Sequence, residues 1–244
     1  MKGLITINDP KSPISESYRG IRTSIQFSNL DKKIKVINVT SSKQGEGKTT
    51  VLANLATTFA NLEKKVLILD GDLRNPEVHQ IFEVSNDYGL TDVLLENKTF
   101  EECVHCTDTK NLHVLTCGAI PPNPSEMLAS NKMTEFVNSL KDRYDYIFID
   151  TSAIGVVTDA GIVSTYSDGC IFVVGAKNVE IETVKISIER LESLGANILG
   201  GILNKFEVNK GSGDYYSDYY KKERRFMKKG KKDKRKREEW MEGL

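Results

Sequence analysis

The chain has 244 residues, 39% of them apolar, enough for one α/β domain with a sizeable core and too few for two comfortable domains. Lys/Arg and Asp/Glu balance at 34 each, yet residues 221–244 hold twelve basic against five acidic side chains, a +7 arm on a −7 body. No apolar run approaches the ~18 residues of a spanning helix, the start lacks a basic-then-apolar leader, and four scattered cysteines suit reduced thiols, so a cytoplasmic location is expected.

In chain order, an amphipathic helix outside the sheet is expected over 14–27, with Pro13 at its start. Apolar runs rich in β-branched residues follow at 34–39, 66–69, 112–116, 146–149, 170–174 and 198–203. Helical patterns at 48–62, 132–141, 159–166 and 180–194 alternate with them. Strands that are apolar on both faces and alternate with helices imply a doubly wound α/β fold, with a mostly parallel sheet covered on both sides. Periodicity stops near Phe206, and a polar Gly/Ser stretch opens after it.

Between the first strand and the next helix stands Ser42-Lys43-Gln44-Gly45-Glu46-Gly47-Lys48-Thr49-Thr50. A strand, a glycine-rich turn and a helix N-terminus together aim backbone N–H groups and the positive end of a helix dipole at one point, where a phosphate would sit. Gly45 and Gly47 admit close approach of the backbone, Lys48 can reach the β- and γ-phosphates, and the Thr49 hydroxyl can ligate Mg²⁺. The Gly-Lys-Thr ending fits a P-loop. Ser42 occupies the place of its first glycine, which makes the loop a deviant one.

Two carboxylate motifs accompany it at expected strand ends. Asp70 and Asp72 follow the apolar run at 66–69, and Asp150 ends the run at 146–149 as a Walker B aspartate would. Mg²⁺ bound to phosphates keeps several waters and takes one or two carboxylates, so Thr49, Asp70 and Asp150 form its candidate shell. Asp72 shares the side of Asp70 on an extended segment and is the candidate proton acceptor for an attacking hydroxyl. Taken alone, each aspartate is equally well explained as a turn former or helix cap. Cys103-Val-His-Cys106, with His113 and Cys117, has the spacing of half a zinc site, but no second compact pair completes it and the segment reads as helical. Pro121-Pro-Asn-Pro124 reads as a rigid loop leading into a helix capped by Ser125.

With the loop, Leu67-Ile-Leu-Asp-Gly-Asp-Leu-Arg74 and Tyr144-Asp-Tyr-Ile-Phe-Ile-Asp150 in this order, the chain resembles the bacterial protein-tyrosine kinases that regulate capsule and exopolysaccharide assembly. The resemblance adds Glu16-Ser-Tyr-Arg19-Gly-Ile-Arg22, which in that family helps to build a ring-shaped oligomer, and a C-terminal tyrosine cluster, here Tyr215, Tyr216, Tyr219 and Tyr220. It implies ATP and Mg²⁺ as cofactors, and Lys48, Asp70, Asp72 and Asp150 as the catalytic set. Residues 42–50 and Asn204 become the nucleotide contacts, with Asn204 on the adenine side, and the four tail tyrosines become autophosphorylation sites. The implied organisation is an oligomerisation helix region over 1–30, a P-loop kinase domain over 31–208, the tyrosine cluster over 209–220 and a basic flexible tail over 221–244. It further implies tyrosine-bearing protein substrates, a membrane-anchored activator of the polysaccharide export system, and membrane association through that partner; nucleic acid is not an expected partner.

Three residues depart from or extend that pattern. Gln44 stands where the family often has Pro, Ser152 follows Asp150-Thr151 where Pro is usual, and Lys43 lies five residues before Lys48. The last spacing also occurs in deviant P-loop ATPases that partition DNA or position division sites. A nucleotide-dependent dimeric ATPase acting on DNA or membrane is therefore the alternative function, and a regulatory nucleotide-binding module with little turnover is a third. Four phosphotyrosines would add about −6 to −8 charges, enough to offset the +7 arm and loosen an oligomer.

Overall fold

Alternation within each apolar run sets the layers of this protein, for which a computed structural model describes residues 3–28, 34–176 and 178–206. The expected tyrosine cluster and the basic tail lie outside the described residues. Six of the strands are β1 (Val36–Ser41), β2 (Val66–Asp70), β4 (Leu112–Leu115), β5 (Tyr146–Asp150), β6 (Gly169–Gly175) and β7 (Ile198–Asn204), close to the expected positions. In β2, Val66 and Ile68 face one core layer while Leu67 and Leu69 face the other. Tyr146 and Phe148 of β5 oppose Ile147 and Ile149 in the same way. Burial on both faces is what a sheet with helices on each side requires.

The sheet runs β3-β4-β2-β5-β1-β6-β7. All pairings are parallel except that of β3 (Val104–Cys106), which is antiparallel to β4. This edge strand corrects the helical reading of 103–106. Helix α6 (Phe100–Cys103) is one turn long, fixed by a reciprocal cap in which Thr99 Oγ1 accepts from the Glu102 N–H and Glu102 accepts from the Thr99 N–H. Val104 then leaves it in extended conformation. Cys103 and Cys117 are buried in the apolar layer, His113 Nδ1 lies 2.8 Å from the Tyr144 hydroxyl, and no cluster able to hold a metal on His, Cys, Asp and Glu alone forms among the described residues.

On one face lie α1 (Ile5–Asn8), α2 (Pro13–Ser28), α3 (Lys48–Ala60) and α4 (Val78–Phe82). The other face is covered by α5 (Leu90–Leu94), α6, α7 (Pro124–Leu128), α8 (Asn131–Leu140), α9 (Asp159–Ser164) and α10 (Ile181–Ser193). Ser125 is not the cap of α7: Asn123 holds that position, Pro124 starts the helix, and the Ser125 hydroxyl turns to Asp159. Helix α3 is the central one, buried along nearly its whole length between the sheet and α2. Thr6 bonds Asn54 through both its N–H and its hydroxyl, which fixes the start of the chain to α3. Among the described residues no helix is long and apolar enough to cross a membrane.

Phe59 of α3 is fully buried, with ring centroids 4.3 Å from Tyr146 and 5.4 Å from Phe148. Truncation leaves a cavity that rigid sheet neighbours cannot fill, so Phe59→Ala should lower unfolding free energy by about 3–5 kcal/mol in urea titration; a loss under about 1 kcal/mol would show that this layer is not closely packed.

Candidate active site

The carbonyl ends of β1, β5 and β2 lie side by side, and everything the sequence marked for phosphate chemistry leaves from them. The crevice outside the strand ends is where open α/β sheets bind ligands. Strand β1 ends at Ser41, and the chain turns through Gly47 (φ +93°) directly into Lys48, the first residue of α3. A side chain at Gly47 would be strained by that φ, and its Cβ would lie 2.2 Å from Asn204 Nδ2. Asn204, the last residue of β7, donates instead to the Glu46 carbonyl at 2.9 Å, and the loop's far side is thereby tied to the sheet.

Glu46, one of the expected nucleotide contacts, turns its carboxylate inward. It is buried and accepts from the Lys43 N–H at 2.7 Å and the Gly175 N–H at 2.8 Å, joining the loop to the end of β6. Ser42, Lys48 and Thr49 are buried, and Lys43, Gln44, Gly45 and Thr50 are exposed. The loop's shape is therefore braced by a bond within it and by bonds to the ends of β6 and β7.

Asp70 and Asp150 are direct register partners on β2 and β5, and both are buried. The Thr49 hydroxyl donates to Asp150 Oδ2 at 2.7 Å, and the Val78 N–H to Asp70 Oδ2 at 3.2 Å. Gly71 allows this closeness: its N–H donates to the Asp150 carbonyl at 2.9 Å, and a Cβ would stand 2.8 Å from that oxygen. Burial, then the neighbouring Asp150, raises the Asp70 carboxyl well above the usual carboxylate range. Burial also pushes Asp150 up to about 7, against the opposing pull of the Lys48 charge and the Thr49 hydroxyl.

Ser42 Oγ, Asp70 Oδ1 and Asp150 Oδ1 are buried without a hydrogen-bond partner among the described residues. Hard oxygen atoms converging beside a threonine hydroxyl fit Mg²⁺, and an unpartnered hydroxyl in a loop of amides fits a phosphate. Asp72 is nearby but held differently: its Oδ1 accepts from the Ser152 hydroxyl at 2.6 Å and from the N–H groups of Asn75 (3.1 Å) and Arg74 (3.4 Å).

A second network braces the same loop. Arg74 forks onto the fully buried Asp159, Nε to Oδ2 at 2.7 Å and Nη2 to Oδ1 at 3.2 Å, and Ser125 joins both. Reading by sequence missed Ser152, Asp159 and the inward use of Glu46. For Ser152 a signal existed, its place two residues after Asp150 where the resembled pattern has Pro. Of the helix element, Glu16 and Arg19 are paired on the surface at 2.7 Å, whereas Arg22 is half-buried and donates to the Thr58 carbonyl at the end of α3.

Residues 34–199 match the sequence family described as an AAA domain. A putative tyrosine-protein kinase of Staphylococcus aureus, CapB, is 42% identical over 211 residues, covering 86% of this chain and 92% of that one. The tyrosine-protein kinase YwqD of Bacillus subtilis is 41% identical over 228 residues, 93% and 95% of the two chains. Among solved structures, the chimerical protein CapA2B2 superposes with a TM-score of 0.83 at 39% identity, over 85% of this chain and 92% of that one. The septum site-determining protein MinD of Pyrococcus horikoshii is more distant, with a TM-score of 0.62 at 29% identity over 75% of each chain.

The raised Asp150 carboxyl has a consequence for stability without ligand. The folded protein holds that proton more tightly than the unfolded chain, so the contribution is complete below about pH 4 and is lost as pH rises through about 7. Asp150→Asn should therefore match the parent near pH 4 and exceed its stability at pH 8 by on the order of 1–4 kcal/mol in metal-free denaturant titrations. A variant less stable than the parent at pH 8 would contradict this.

Proposed function

Since the chain belongs to the family of bacterial tyrosine-protein kinases, we propose that it transfers the terminal phosphoryl group of ATP to tyrosine hydroxyls, those of its own tail included, and so regulates capsular or exopolysaccharide biosynthesis. The observation that carries this is the division of labour among the aspartates. Asp70 and Asp150 present buried, unpartnered oxygens beside Thr49, while the neighbouring Asp72 accepts from Ser152, Asn75 and Arg74 through one oxygen only among the described residues.

Thr49, Asp70 and Asp150 would hold Mg²⁺, which supplies charge neutralisation for the phosphates when bound. The loop amides and Lys48 fix the triphosphate, and Asn204 closes the loop from the β7 side on which we place the adenine. A phenol has a pKa near ~10, so its oxygen needs a base as it attacks. As the tyrosine oxygen bonds to the terminal phosphorus and the bond to the departing diphosphate oxygen breaks, the phenolic proton passes to Asp72. Lys48 stands where charge spreads in a loose transition state.

We place the ring-forming contact of an oligomer on the exposed Glu16–Arg19 pair, with Arg22 fixing α2 on α3. A membrane-anchored activator and membrane association through it belong to the same proposal. The positioning-ATPase reading draws on the exposed Lys43 and the distant likeness to MinD.

Mass spectrometry after incubation with ATP and Mg²⁺ separates the two. Phosphate should appear on Tyr215, Tyr216, Tyr219 and Tyr220, and fall by at least roughly a hundredfold in Lys48→Met and Asp72→Ala. Free phosphate released while every tyrosine stays unmodified would favour the ATPase.

A further inference from the structure

We propose that Ser152 is a positioning residue for phosphoryl transfer, setting the orientation of the Asp72 carboxylate so that Oδ2 is the oxygen that takes the tyrosine proton. This rests on the reading of Asp72 as the proton acceptor.

Ser152 is buried, and its hydroxyl donates to Asp72 Oδ1 at 2.6 Å, a separation typical of a strong, charge-assisted contact. Its own backbone is fixed from below. The Thr40 hydroxyl, at the end of β1, donates to the Ser152 carbonyl at 2.8 Å and accepts from the Ile154 N–H at 3.2 Å. A rigid line therefore runs from the strand that feeds the phosphate loop, through the segment after Asp150, to Asp72. The two remaining donors to Asp72, the N–H groups of Asn75 and Arg74, reach the same Oδ1. Among the described residues, all three hydrogen bonds thus collect on one oxygen. The carboxylate cannot rotate freely, and its second oxygen is left to receive a proton.

The backbone donors are longer than the Ser152 contact and belong to the same short loop as Asp72, so they move with it. Among the described residues, Ser152 alone ties the carboxylate to the segment that leaves the neighbouring strand β5. This is also the position at which the sequence departs from the resembled pattern. A proline there carries no hydroxyl, so the contact belongs to this chain.

Loss of orientation with binding intact is a turnover defect, not an affinity defect. Tyrosine autophosphorylation is to be followed for the full chain and for Ser152→Ala, Ser152→Cys and Ser152→Thr, with the KM for ATP and the thermal midpoint measured for each. Ala and the near-isosteric Cys should lower the rate at saturating ATP by roughly tenfold, leaving KM within about twofold and the midpoint close to the parent's, while Thr, which keeps a hydroxyl, recovers most of the rate. An unchanged rate in Ala and Cys, a loss expressed in KM, or an equal loss in Thr would overturn the assignment. An active parent makes any of these a failure of Ser152 alone. A parent that hydrolyses ATP and leaves its tyrosines unmodified overturns the tyrosine-transfer reading beneath it.

Discussion

Two carboxylates placed opposite each other on adjacent buried strands are the constraint around which this molecule is arranged. Asp70 and Asp150 share a register position, and among the described residues each keeps one oxygen without a donor, the other accepting from the Val78 N–H and the Thr49 hydroxyl respectively. Both are poorly solvated in the interior, and burial is the main reason both hold protons more tightly than usual, with the Asp150 charge adding to it at Asp70 and the Asp72 charge at Asp150. An apolar pair at these strand ends would fold more readily. In the proposed reading a cation and the oxygens of a triphosphate would complete the set, and their binding would offset that cost.

The surroundings follow from that constraint. Strand β5 must lie between β1 and β2 for the phosphate loop, Asp150 and Asp70 to stand in a row, and the crossovers of a doubly wound sheet place it there. Gly71 lets the chain after Asp70 touch the Asp150 carbonyl. Glu46 braces the loop by accepting from the Lys43 N–H within it and from the Gly175 N–H at the end of β6. Preorganisation of this kind lowers the ordering cost of binding, and it concentrates electrostatic work in groups that need not move.

Much of this was legible in the sequence, for identifiable reasons. Runs such as Val66–Asp70 and Tyr146–Asp150 announce buried parallel strands because apolar residues continue through both faces and stop at an aspartate. Strand β3 is not legible because three residues at a sheet edge carry no period, and the helix before it, capped at its start by Thr99, gives way at the extended Val104 after a single turn. Ser125 is not a cap because the helix already begins at Pro124, which leaves the Ser125 hydroxyl inside the first turn and free to bond Asp159. The side-chain pairings that brace the site were out of reach for another reason. Ser152 and Asp72 are 80 positions apart, and Arg74 and Asp159 are 85 apart, so only the folded sheet brings them together. A fold shared by kinases and positioning ATPases leaves the choice of reaction to a few such contacts.

Calorimetric titration of ATP into the full chain, with and without Mg²⁺, tests the carboxylate pair as a cation site most directly. Binding heat that requires Mg²⁺, and that is strongly reduced in a Thr49→Val variant of unchanged fold, is the expected result. ATP uptake of equal strength with and without the metal, or no uptake in either case, would contradict it.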